Sequence, residues 1–175
     1  LFSKFPPSLP SDDYIWKVGK RGSELLNKKG FHQYEVSAYS ALPSKHNMNY
    51  WEFGDYIGIG AGAHGKITDV ASNKIMRTLK TKSPKDYLLS VKKNKQTSSI
   101  KAVENLSFEF MLNSLRLIDG FDPELYESRT GQPIELLSQQ LREAENLDLL
   151  DIKTHTIKPT QKGYSFLNDL QAIFL

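Results

Sequence analysis

The pattern of apolar and polar positions changes character along the chain. After Ser11, the residues Ile15, Val18, Gly22 and Leu25/Leu26 fall on one face at helical spacing. Ser11 offers a cap, Asp12 and Asp13 sit where the helix dipole favours acids, and Lys28-Lys29-Gly30 makes a basic last turn and a stop. Residues 31–38 then alternate as a strand, with Tyr34 and Val36 on one face. A helix followed after one glycine by a strand is the αβ repeat of a parallel sheet, but the chain holds a single such unit. A parallel strand is not stable alone, so the pattern predicts a piece of a larger protein. The non-methionine start and the proline-rich, extended lead-in from Phe5 to Pro10 agree with that.

Past Pro43 the pattern predicts a short strand at residues 55–59 and a glycine loop at 58–65. A hairpin of residues 66–68 and 74–80 follows, turning at Ala71-Ser72-Asn73. Ser83-Pro84 starts a helix through Tyr87 and Leu88, by cap and first-turn proline. Residues 92–99 are polar and read as mobile, which places a domain boundary there: 1–95 on one side, 100–175 on the other. From Ser107 the period becomes helical. Phe108, Met111/Leu112, Leu115 and Ile118 make a stripe ending at Gly120. Asp122-Pro123 opens a short helix that stops near Gly131. Pro133 opens a third helix with Ile134, Leu137, Leu141 and Ala144 on its buried face. Residues 149–152 and 156–158 read as a hairpin, and Thr160 caps a last helix with Tyr164, Leu167 and Leu170/Ile173 inward. Three helices, a β wing and a closing helix form a winged-helix-like layout.

Composition narrows the chemistry. An apolar content of 39% over 175 residues supports a folded core. With no cysteine, the chain holds no disulfide, thiolate zinc site, cysteine nucleophile or cysteine-bound iron–sulfur cluster. No stretch approaches the roughly 20 apolar residues of a membrane span, and the first residues lack the apolar run of a signal peptide. Charge is asymmetric: residues 1–100 carry a net +8 and residues 101–175 a net −5. The basic half favours an anionic partner or is a solvated lysine surface. The would-be recognition helix after Pro133 carries Glu135, Glu143 and Glu145 against Arg142, so it repels phosphates and no DNA partner is expected.

The candidate chemistry is concentrated in residues 46–65, HNMNYWEFGDYIGIGAGAHG, which hold two of four histidines and five of eleven glycines. Gly60-Ala61-Gly62-Ala63-His64-Gly65 matches the spacing of a dinucleotide loop. However, the residues after it alternate like a strand, and Lys80-Thr81-Lys82 stands where that motif needs an acid. A loop whose bare backbone meets a ligand or closes the top of a sheet fits better. His46 has no second histidine at metal-binding helical spacing. It is either a hydrogen-bonding organiser of its loop or, beside the flat rings of Tyr50 and Trp51, an axial ligand to a porphyrin. His32 and His155 read as structural or surface residues.

YEVSAYS, HNMNYW, GDYIGIGAGAHG and RTLKTKSPKDYL together resemble the C-terminal half of radical S-adenosylmethionine proteins related to oxygen-independent coproporphyrinogen III oxidase. HNxxYW resembles the haem-chaperone branch of that family. The resemblance covers essentially the whole chain. It implies an α+β fold: the terminal β/α elements of a partial (β/α) barrel, then a mainly helical, winged-helix-like domain. It implies S-adenosylmethionine and a four-iron cluster in the parent protein, the cluster on a CxxxCxxC motif that these residues lack. Gly60, Gly62, Ala63 and His64 correspond to the S-adenosylmethionine loop. His46, Asn47, Tyr50 and Trp51 correspond to the haem motif, with His46 as ligand to the haem iron.

The implied role is to complete the cofactor pocket and to hold haem for delivery to a haem-requiring acceptor protein. The implied location is the cytoplasm, with at most peripheral contact at a membrane. A second reading makes the parent a coproporphyrinogen III oxidase, with Lys66 and Arg77 pairing with propionates. A third leaves the chain a structural and interaction module. The exposed surface of an incomplete barrel also favours a homodimer.

Overall fold

A computed structural model describes residues 6–72 and 74–175. Phe5 of the lead-in and Asn73 of the expected turn lie outside them. The fold is α+β and divides into two compact units, Leu1–Pro43 and Ser44–Leu175.

In the first unit, α1 (Asp12–Lys28) starts where the Ser11 hydroxyl accepts the Tyr14 N–H. Gly30 at φ +80° turns the chain out of it. Residues 31–38 are not one strand. They form β1 (His32–Glu35) and begin β2 (Ala38–Ser40), which pair antiparallel. The turn is built by Glu35, whose buried carboxylate accepts both the N–H and the hydroxyl of Ser37. The expected αβ repeat of a parallel sheet is therefore replaced by a helix and a local hairpin, joined by Ser23 Oγ and Tyr39 Oη at 2.5 Å. The apolar stripe of α1 forms as predicted, but Ile15, Val18 and Leu25 remain about half exposed.

The second unit opens with α2 (Lys45–Trp51), a helix within the polar motif that the pattern does not predict. The expected strand at 55–59 reduces to one antiparallel bridge, Tyr56 with Lys66. The hairpin forms as β3 (His64–Asp69) and β4 (Lys74–Lys80), paired from His64–Leu79 to Asp69–Lys74. Helix α3 (Pro84–Lys92) then begins at Ser83, whose hydroxyl accepts the Asp86 N–H. Ser83→Ala should lower stability by about 1 kcal/mol, read as a shifted denaturant midpoint at unchanged slope. Residues 98 and 99, read as part of a mobile stretch, instead begin β5 (Ser98–Ala102), the third strand in the order β3-β4-β5. Their polarity hides the strand, because pairing with β4 and not a buried face holds it.

Next come α4 (Leu106–Ser114) and α5 (Pro123–Thr130), the latter capped by Asp122 and ended by left-handed Gly131 as predicted. A 3-10 turn at Ile134–Leu137 leads into α6 (Ser138–Asn146). The hairpin β6 (Leu150–Lys153) and β7 (Thr156–Pro159) follows, then α7 (Gln161–Ser165) and α8 (Leu167–Ala172). The last helix thus breaks at Phe166. On α4 the buried face is Phe110 and Met111, while Leu112 is 41% exposed, so the predicted stripe is rotated by about a residue. Phe110 is the centre of the core, meeting the rings of Phe53, Phe121 and Tyr126 edge to face at 5.1–5.6 Å. Phe53 and Ile75 belong to this same cluster, so the motif region and the helices share one core. Among the described residues no helix is long and apolar enough to cross a membrane.

Candidate functional site

Helix α2 explains the placement of the first motif. The Ser44 hydroxyl accepts the Asn47 N–H, fixing the start of the helix. Residues four apart then share a face, so His46 and Tyr50 meet edge to face at 4.8 Å. Tyr50 meets Tyr56 in turn at 4.5 Å. The Tyr56 hydroxyl accepts from Arg77 Nη1 at 2.9 Å, and Arg77 Nε donates to Glu109 Oε2 at 2.7 Å. An exposed imidazole is thereby attached to a fixed step of two rings that ends in an ion pair on α4.

Asn47 and Trp51 lie on the neighbouring face of the helix. Trp51 anchors it: its carbonyl accepts from Ser114 Oγ, Arg116 lies 4.4 Å from its ring centre, and its indole nitrogen is buried. The structure therefore brings His46 and Tyr50 together and directs Trp51 towards α4.

Between the motifs stands a lattice that sequence reading misses. Lys66 is 2% exposed; its ammonium donates to the Phe53 carbonyl and to Asp55 Oδ1, both at 2.8 Å, and lies 4.2 Å from the Phe53 ring centre. Asp55 also accepts the N–H and hydroxyl of Thr68, at 2.8 and 2.9 Å. Burial alone would raise the Asp55 carboxyl, but the hydrogen bonds from Lys66 and Thr68 outweigh it and hold it below 3.8. Burial lowers Lys66 from 10.5, and Asp55 opposes only part of that. Lys66 and Arg77, expected as propionate partners, are thus engaged inside the protein. The GDY sequence between the two motifs marks this lattice, but no spacing rule pairs Asp55 with a lysine eleven residues on.

In the glycine loop, Gly60 and Gly62 take φ values of +98° and +71°, which glycine adopts without strain. The amides of Gly62 and Ala63 are not free for a ligand: they donate to the Thr81 and Gly60 carbonyls, and Lys80 N–H donates to the Ala63 carbonyl. The open stretch is around Gly60, where an added Cβ would have nothing within 4 Å. His64 is exposed at the start of β3. Bare backbone at Gly60 and an exposed imidazole fit a small polar ligand. For haem, the exposed His46 beside Tyr50 supplies a nitrogen donor and a flat wall. The four-iron cluster does not fit these residues: the chain has no cysteine, and among the described residues no group of three His, Asp or Glu could hold a metal.

Residues 103–166 match the family model of the HemN C-terminal domain. The chain is 38% identical to the haem chaperone HemW of Escherichia coli over its whole length, covering 46% of that protein. It is 37% identical to the haem chaperone HemW of Haemophilus influenzae, again over its whole length, covering 45% of that protein.

The chain is similar to the HemW-like radical S-adenosylmethionine proteins.

It spans less than half the length of these HemW relatives and corresponds to their C-terminal part. Its fold is similar to that of coproporphyrinogen III oxidase (HemN) from Escherichia coli, a radical S-adenosylmethionine enzyme. The TM-score is 0.68 at 16% identity, over 95% of this chain and 42% of that one.

Proposed function

We propose that the chain serves a HemW-like protein by holding haem at His46 and by completing the S-adenosylmethionine pocket with residues 58–65. The observation that carries this reading is the exposed His46 imidazole fixed on the Tyr50–Tyr56 step. A nitrogen ligand for haem iron needs a ring held in one orientation beside a flat apolar wall, and capped α2 provides both. Asn47 and Trp51 keep that helix seated. On the other side of the Asp55–Lys66 lattice, Gly60 offers backbone approach, while Gly62 and Ala63 tie the loop to β4 and His64 contacts the ligand. When bound, S-adenosylmethionine and the parent's cluster supply redox chemistry, with the cluster held outside these residues. Haem passes to a haem-requiring acceptor, and the protein works in the cytoplasm or at the surface of a membrane. The elements before Pro43 close the parent's barrel, and the region from α4 to α8 forms a winged-helix-like module.

Haem titration of the intact parent tests this reading. His46→Ala should move the Soret band and weaken binding by about tenfold or more, the equivalent of losing one coordinate bond's net contribution. An unchanged spectrum and affinity would remove His46 as ligand.

A further inference from the structure

The sheet leaves β5 as an edge strand among the described residues, with four of its five residues exposed. The ladder with β4 fixes which backbone groups face outward. Thr81 N–H donates to the Thr97 carbonyl and Val103 N–H to the Ile75 carbonyl, so residues 97, 99, 101 and 103 face β4. Ser98, Ile100 and Ala102 therefore turn their N–H and C=O groups to the open side. The Ser98 carbonyl is covered by its own neighbour, Gln96 Nε2, at 2.7 Å. Ile100 and Ala102 present the rest of the edge.

Charge identifies what that edge suits. Residues 74–101 carry nine Lys and Arg against one acid, Asp86. Arg77 is bound to Glu109, so the remaining cations are lysines. Lys80 extends across β5 until its ammonium meets Ser98 Oγ at 2.6 Å, while Lys101 projects from the opposite face of β5. An open groove of about 690 Å³ runs beside the start of the strand, lined by Leu79, Lys80, Lys82, Gln96, Ser98 and Ile100. An added strand alternates its side chains between two faces, and here each face carries a lysine.

We propose that the edge of β5 takes up an extended acidic segment of a partner protein as a fourth strand. Backbone pairing at Ile100 and Ala102 provides affinity, and carboxylates set against Lys80, Lys82 and Lys101 select the segment. Lysine on an edge also discourages indiscriminate pairing, and here it filters by charge, since only an acidic strand offsets the repulsion. Nucleic acid fits less well, because Tyr87 is the only aromatic residue in 74–101 to stack a base. An anionic bilayer offers no strand to pair with Ile100.

The test uses the intact parent and a fluorescent N-acetylated peptide of repeating Glu-Glu-Val-Val, which puts glutamate on both faces of a strand, followed by anisotropy. The peptide should bind, weaken as salt rises, and lose to an otherwise equal lysine–valine peptide by at least about tenfold. Ile100→Pro removes an outward N–H that the β4 ladder does not use, and should reduce binding by about tenfold while leaving the fold intact. Lys80→Gln with Lys101→Gln should weaken binding and flatten its salt dependence. Hydrogen exchange of the unaltered protein decides the matter if Ile100→Pro misfolds: peptide should protect the Ile100 and Ala102 amides. No binding by the acidic peptide, undiminished binding by a folded Ile100→Pro, or no protection at those amides would overturn the proposal. Tighter binding of single-stranded RNA or phosphatidylglycerol vesicles, lost on the two lysine substitutions, would overturn it too and reassign the face.

Discussion

Asp55→Ala should destabilise the intact parent by about 3 kcal/mol, an unusual cost for a side chain that is 44% exposed. The cost arises at its partner. Lys66 is buried to 2% exposure, and without Asp55 its ammonium keeps only the Phe53 carbonyl and ring. Removing one member of a pair leaves a desolvated charge, whereas replacing the buried member with an apolar side chain of similar length does not. Lys66→Met should therefore cost about 1 kcal/mol or less, so the two substitutions at one ion pair differ in effect. Urea unfolding of both variants measures this, and equal costs would show that Lys66 is solvated after all.

The pH dependence follows from the directions of the two shifts. The folded Asp55 carboxyl lies below 3.8, so between its folded and unfolded values the unfolded chain binds the extra proton. Its contribution is complete above 3.8 and disappears as pH falls through the folded value. Asp55→Ala should lack that acid limb. The folded Lys66 lies below 10.5, so its cost at neutral pH is relieved as pH rises from the folded value towards 10.5. Losing Asp55 lowers Lys66 further, and the alkaline gain in stability should become steeper in the variant.

That lattice also marks the limit of what the residues reveal by themselves. Helix starts were legible because caps act locally: Ser11, Ser83, Asp122 and Thr160 each accept an N–H two or three residues on. The β6–β7 hairpin and the left-handed stop at Gly131 were legible for the same reason. Elements that depend on distant partners were not. The turn between β1 and β2 contains neither glycine nor proline, and the carboxylate of Glu35 makes it. Helix α2 is seven residues long and polar, so it has no stripe to read. β5 exists through pairing with β4 across a helix. Within the candidate site, His46, Tyr50 and the glycines stood out by type and density. Asp55, Tyr56 and Glu109 look like ordinary residues until the fold brings them together, and Lys66 and Arg77 read only as cations for propionates.

Gly58→Ala should reduce binding of S-adenosylmethionine to the cluster-reconstituted parent by more than about tenfold, with a smaller loss of stability of about 1–3 kcal/mol. An added Cβ at Gly58 would lie 2.1 Å from the His64 carbonyl oxygen and 2.6 Å from its carbon. Both are backbone atoms, so no rotamer change relieves the clash, and the two sides of the loop must part. They cannot part equally. The side ending in His64 is held by the Gly62 and Ala63 hydrogen bonds to β4 and by the β3 ladder. The displacement therefore falls on residues 58–61, including the open backbone at Gly60 where a ligand would approach. Equilibrium dialysis with S-adenosylmethionine distinguishes the outcomes. If Gly58→Ala lowers stability yet binds the cofactor like the unaltered protein, the loop closes the top of the sheet and takes no part in the pocket.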